Sequence, residues 1–88
     1  MKHITPARLP DLDDLLAELR TIEGITERRP GIFYRRSGAF LHFHEDGADL
    51  YADARLTGDD FDRRRVTTKA ERERLVREVR TTLTSGES

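Results

Sequence analysis

Two hydrophobic periods divide this chain. Leu12, Leu15, Leu16, Leu19 and Ile22 recur at helical spacing and predict an amphipathic helix over residues 10–23. Asp11, Asp13 and Asp14 stand at its start, where the helix dipole favours negative charge, and Arg20 stands near its end. Gly24 is placed to take a left-handed cap, with Ile25 folding back on Leu19 as in a Schellman motif. From residue 31 the period falls to two. Residues 31–36, 39–45 and 49–56 predict three strands, joined by turns at Ser37-Gly38 and Asp46-Gly47. Residues 26–29 offer a short extra strand. Residues 57–65 read as a loop, with room for one helical turn, pinned to the core by Phe61. Thr68 and Glu71 have the spacing of a capping box and open a second helix that runs to about residue 83. Its apolar stripe is Leu75, Val76, Val79 and Leu83, and residues 85–88 form a frayed tail.

This order predicts the α+β class. The simplest packing is a two-layer, three- to four-stranded antiparallel meander with an N-terminal and a C-terminal helix on one face. Residues 1–84 then make a single domain.

With two-residue turns at Ser37-Gly38 and Asp46-Gly47, Ile32 pairs with Phe43, Tyr34 with Leu41, Phe43 with Leu50 and Leu41 with Ala52. Those six side chains share the core face. Phe33, Arg35, Phe40, His42, His44, Tyr51, Asp53 and Arg55 fall on the opposite face, which no element of the chain obviously covers. A four-residue second loop keeps the same faces but sets His42 opposite Asp53. A slip by one residue would mix the faces, and the alternation argues against it.

Three readings compete for the uncovered face. As an apolar patch with Phe33, Phe40 and Tyr51 it would bind a partner protein, most economically a second copy of the same chain. His42, His44 and Asp53, with Arg55 nearby, could instead form a metal or small-ligand site, because two His at i and i+2 on a strand point the same way. The third reading is a solvated face of cross-strand pairs. The first is favoured as a binding or self-assembly module without catalysis.

Charge and composition narrow the classes further. The 88 residues include 16 basic and 17 acidic side chains, a net charge of −1, which argues against a nucleic-acid or anionic-membrane binder. Lys2 and Lys69 are the only lysines. Arg28-Arg29, Arg35-Arg36 and Arg63-Arg64-Arg65 lie near aromatics, as single-stranded nucleic-acid binding would use, but acidic residues are interspersed and solvated charge is the favoured reading. Cysteine is absent, so thiolate metal sites, thiol nucleophiles and disulfides are excluded. The first residues lack the apolar segment of a secretory signal, and no run is long enough to span a membrane, so the cytoplasm is the expected compartment. Ser37 sits in a turn without a nucleophile elbow, and no phosphate loop is present. His42 with Asp53 is the one pair that could orient a general base. An enzyme is not expected. No cofactor is called for beyond zinc or another divalent ion at His42, His44 and Asp53. Asp59, Asp60 and Asp62 lack EF-hand spacing, and His3 receives no role.

The stretch PGIFYRRSGAFLHFHEDGADLYADARL is similar to a block in small uncharacterised bacterial proteins, and more distantly it resembles the luciferase-domain family. The matched positions are His42, His44, Asp46 and Gly47, within residues 38–53 and with Asp53 as the downstream Asp. The resemblance covers the central third of the chain. That family's longer C-terminal part, with further histidine and aromatic positions, has no counterpart here, and the resemblance implies no light-emitting activity.

Overall fold

A computed structural model describes residues 1–85. The chain forms strand β1 (Lys2–His3), a 3-10 turn (Leu9–Leu12), helix α1 (Asp13–Arg20), strands β2 (Thr26–Arg29), β3 (Ile32–Arg35), β4 (Gly38–Asp46), β5 (Asp49–Ala54) and β6 (Asp62–Arg65), and helix α2 (Lys69–Ser85). The α+β class and the antiparallel sheet agree with the sequence reading, but the sheet has six strands instead of three or four. Its order is β2-β3-β4-β5-β6, with β1 added to β4. The short strand at 26–29 is β2. Residues 86–88 of the expected tail lie outside the described residues.

The second helix begins where the sequence places its start. The backbone N–H of Thr68 donates to Glu71 Oε1 at 2.9 Å, and the Glu71 N–H donates to Thr68 Oγ1 at 3.2 Å, which completes the capping box of α2. The first helix is shorter than its apolar period. Leu9–Leu12, with Pro10 inside, is a 3-10 turn, and α1 stops at Arg20 with Thr21 as its cap. Gly24 does take a positive φ of 101°, but in a separate turn beyond that cap, so the Schellman ending is not formed.

The core is one cluster. Leu12, Leu15, Leu16 and Leu19 from the first helical segment and Leu75, Val79 and Leu83 from α2 pack with Phe33, Leu41, Phe43, Leu50, Ala52 and Ala54 of the sheet. Both helices therefore cover the same sheet face. Arg72 ties them together across the chain, with Nε 3.0 Å from Asp14 Oδ2.

The register departs from expectation at one hairpin. Arg36-Ser37 forms the β3–β4 turn, with Arg36 at φ 58°, and Arg35 pairs with Gly38. Phe33 pairs with Leu41 and Tyr34 with Ala39, so Phe40 is the extra residue of a bulge. This is the one-residue slip that alternation alone disfavours. It turns Phe33 inward and moves Ile32 and Tyr34 off the core face. Phe33 and Phe40, expected on the uncovered face, are both core residues, at 0% and 2% exposure. The bulge lets Phe40 and Leu41 both reach the core, and β3 contributes Phe33, which carries no hydroxyl that burial would leave in need of a partner, as Tyr34 would.

At the other hairpin Gly47-Ala48 is the turn, with Gly47 at φ 60°. Asp46 pairs with Asp49, Phe43 with Ala52 and His42 with Asp53. The register that sets His42 opposite Asp53 thus holds, but a two-residue turn one position beyond the expected Asp46-Gly47 closes it instead of a four-residue loop, and the pairings of Phe43 with Leu50 and Leu41 with Ala52 do not form.

The segment 57–65 departs from the sequence expectation in two respects. Its last four residues are strand β6, pairing Tyr51 with Arg65 and Asp53 with Arg63. Phe61 does not enter the core but lies on the opposite face, 38% exposed, against His42 and Arg55.

Strand β4 is the spine of the sheet. One edge pairs with β5 along its length. The other edge is shared: β3 takes residues 38–41, and β1 takes Glu45 and His44 through Lys2 and His3. The Ile4 N–H donates to the Phe43 carbonyl at 3.1 Å and continues the β1 pairing. Glu45, which follows Leu41 and Phe43 on the core-side alternation, is buried yet satisfied. Its Oε2 accepts from the Thr5 N–H at 2.7 Å and from Thr5 Oγ1 at 3.0 Å, with Arg8 Nη1 3.7 Å from Oε1. These bonds fix where the chain leaves β1.

Two outcomes test this architecture. Phe33→Ala should cost about 3–5 kcal/mol in urea unfolding, and Tyr34→Ala much less; the reverse order would contradict the bulged register. Glu45 is held below its ordinary carboxyl value of 4.5, chiefly by the Thr5 N–H. A depressed folded value stabilises above the unfolded value and loses that stabilisation as pH falls through the folded one. Thermal melts should show Glu45→Gln less stable than the native chain at pH 7, with the gap narrowing below pH 4.5.

Candidate metal centre

The sheet face away from the helices gathers three histidines. His42 and His44 alternate along β4, as the sequence predicts. His3, which the sequence left without a role, is brought beside them because it pairs directly with His44. The ring centroids are 4.6 Å apart for His3 and His44, 4.9 Å for His42 and His44, and 5.7 Å for His3 and His42. One nitrogen from each ring lies within 4.8 Å of the other two. Only the β1–β4 pairing brings His3 there, and a lone His at position 3 carries no spacing signal in the sequence.

Asp53 faces this cluster from β5. Its Oδ2 is 3.0 Å from His44 Nε2 and 3.7 Å from His42 Nε2. Arg63, its neighbour on β6, binds it bidentately, with Nε to Oδ1 and Nη2 to Oδ2 both at 2.7 Å. This fork holds the carboxyl below its ordinary range and fixes its plane. His44 Nε2 is close to that carboxylate but lies off the direction a hydrogen bond requires. It is the one fully buried side-chain nitrogen or oxygen without a hydrogen-bond partner among the described residues. Buried polar atoms are nearly always paired, so this nitrogen marks a site where a further group is called for.

The electrostatics favour neutral rings. Burial pushes His42 down from its ordinary 6.5, helped by the neighbouring His44, while Asp53 pulls the other way. Burial also pushes His44 down, again against Asp53. Neutral imidazoles keep a free lone pair at pH 7, which is the form that coordinates a metal.

The rest of the face frames this cluster. Phe61 packs edge-on to His42 at 4.8 Å and stacks under the Arg55 guanidinium at 4.2 Å. Arg55 is anchored by Nε to the Ala39 carbonyl at 2.8 Å, and Tyr51 sits across from His44. Arg35 lies at the end of β3 beside the turn, apart from the histidines. Of the eight residues expected to form one surface, His42, His44, Tyr51 and Asp53 converge, Arg55 borders them through Phe61, and Phe33 and Phe40 belong to the core. The basic triplet is already engaged: Arg63 with Asp53, Arg64 with Glu78, and Arg65 with Asp49 and Glu71. A cleft of about 400 Å³ between α1 and α2 is lined by charges including the Asp14–Arg72 pair and gathers no chemistry of its own. No helix among the described residues is long and apolar enough to cross a membrane.

No protein-family model, curated protein or solved structure matches the chain.

Arg63 lowers both His42 and His44 as well as Asp53. Arg63→Met should therefore raise all three titrations, as followed by NMR of the imidazole and carboxyl carbons. In the native chain His42 and His44 should titrate below 6.5. Their contribution to stability is complete above that value and is lost as pH falls from 6.5 through the folded values.

Proposed function

We propose that this chain binds a divalent transition-metal ion through His3, His42 and His44, with Asp53 supplying the balancing negative charge. The buried, unpartnered Nε2 of His44 in the middle of three clustered imidazoles carries the reading. Imidazole donors suit zinc, copper, iron and nickel, whereas magnesium and calcium prefer all-oxygen sites. Zinc holds imidazole nitrogens at ~2.0–2.1 Å, so a tetrahedral site needs them ~3.3 Å apart. Separations within 4.8 Å leave a contraction that small ring rotations can supply. The Arg63 fork is a ready support, because it keeps the Asp53 carboxylate oriented toward the rings.

Three protein donors with a carboxylate at their edge leave room for an exchangeable ligand, the pattern of an open metal site. The self-association reading rested on three aromatic anchors, and burial of Phe33 and Phe40 leaves it Tyr51 alone. Metal binding therefore replaces it as the preferred function.

Calorimetric titration of the full chain with zinc should show one ion per chain. His42→Ala and His44→Ala should each lower affinity at least about 100-fold, the upper end of what losing an outer-shell partner does, with folded circular-dichroism spectra. Cobalt(II) loaded in place of zinc should show the absorption of a nitrogen-rich tetrahedral site. Zinc affinity that is unchanged in both variants would overturn the proposal.

A further inference from the structure

The two strands that share the outer edge of β4 do not close against each other, and a groove runs along the seam between them. It has a volume of about 380 Å³. Ile4 forms its β1 side, Pro30, Gly31 and Ile32 form its β2–β3 side, and Phe43 lies between. His3 and His42 also line it, so two of the three proposed metal ligands belong to its wall. No Asp, Glu, Lys or Arg lines the groove.

Both walls are fixed by hydrogen bonds of their own backbone. On the β2–β3 side, the Gly31 N–H donates to Glu27 Oε2 at 2.8 Å, and Arg20 holds the same carboxylate with bonds of 2.6 and 3.1 Å. Gly31 has φ 76°, and a side chain there would come within 2.9 Å of Leu9, so the turn packs closely onto the core. On the β1 side, the Ile4 N–H to Phe43 carbonyl bond sets the wall in place.

We propose that this seam binds a small carboxylic acid with an apolar body, whose carboxylate takes the open position on the ion held by His3, His42 and His44. The inference rests on the metal reading above. It follows from the distribution of charge. An apolar body matches the walls, and the groove contains no cationic side chain that could hold an anionic head. An ion held by His3, His42 and His44 is the one group that would do so. A cationic or zwitterionic ligand would find no carboxylate in the groove, since Asp53 is on β5 and already bound by Arg63. The volume lies at the small end of ligand pockets, which limits the acid to a short chain or a single ring. Since His3 and Ile4 are adjacent in the chain, an ion bound to His3 would hold more firmly against β4 the segment that carries one wall. Metal and acid should bind cooperatively.

The test is titration of the zinc-loaded full chain with octanoate, acetate and octylamine, followed by calorimetry. Each buried methylene is worth roughly a fourfold gain in affinity. Octanoate should therefore bind at least tenfold more tightly than acetate, octylamine should not bind, and zinc-free protein should lose octanoate binding. Ile32→Asp should weaken octanoate at least tenfold with zinc affinity unchanged. Ile4→Asn makes the same test from the other wall, should Ile32→Asp fail to fold. Equal binding of octanoate and acetate, octanoate binding that ignores zinc, or insensitivity to both wall variants would overturn this inference and leave the metal reading standing. Failure of the native chain to take up zinc would overturn both.

Discussion

The pairing of Phe33 with Leu41, set by the bulge at Phe40, is the constraint on which the rest of the sheet depends. It places three phenylalanines, Phe33, Phe40 and Phe43, under the helices, where a chain with 35% apolar residues most needs bulk. It also limits how far β3 runs along β4. Because β3 ends its pairing at Leu41, the outer edge of β4 beyond His42 is open to another strand. The first residues of the chain fill that opening, and His3 arrives beside His44 as a result. The packing of the core and the assembly of the histidine cluster thus have the same cause.

Charge on the opposite face is organised around Asp53. A carboxylate largely withdrawn from water needs strong partners, and the Arg63 fork provides them. The ladder supplies this contact directly, since Arg63 and Asp53 are a cross-strand pair. Burial keeps the two β4 histidines neutral against the pull of that carboxylate. The result is a set of donor nitrogens held beside a negative charge whose orientation is fixed from the far side. Arg64, which points the other way, meets Glu78 of α2 and helps to seat the helix.

Much of this was legible in the sequence, for identifiable reasons. The helical leucine period, the Thr68–Glu71 spacing and the alternation from Leu41 to Ala54 are local signals, and local signals dictate the elements they cover. His42, His44 and Asp53 were placed together because alternation survives a two-residue change of register. The bulge at Phe40 was not legible. It inserts one residue and inverts every face assignment on β3, and nothing adjacent in sequence marks it. Strand β6 was missed because Asp62–Arg65 has no apolar alternation: Asp53 and Tyr51 beside it select polar partners. His3 was missed because its neighbours lie some forty positions away.

That separation bears on the order in which the molecule assembles. The hairpins β2–β3, β3–β4 and β4–β5 join neighbouring segments and close with short loops. Docking β1 must bring Thr5 to Glu45 across 40 residues and in return adds a two-residue strand. Long-range closure with so small a reward forms late and opens first. The histidine cluster is therefore completed only on a chain whose hairpins already exist, so that a cation captured there would select finished molecules over partly folded ones.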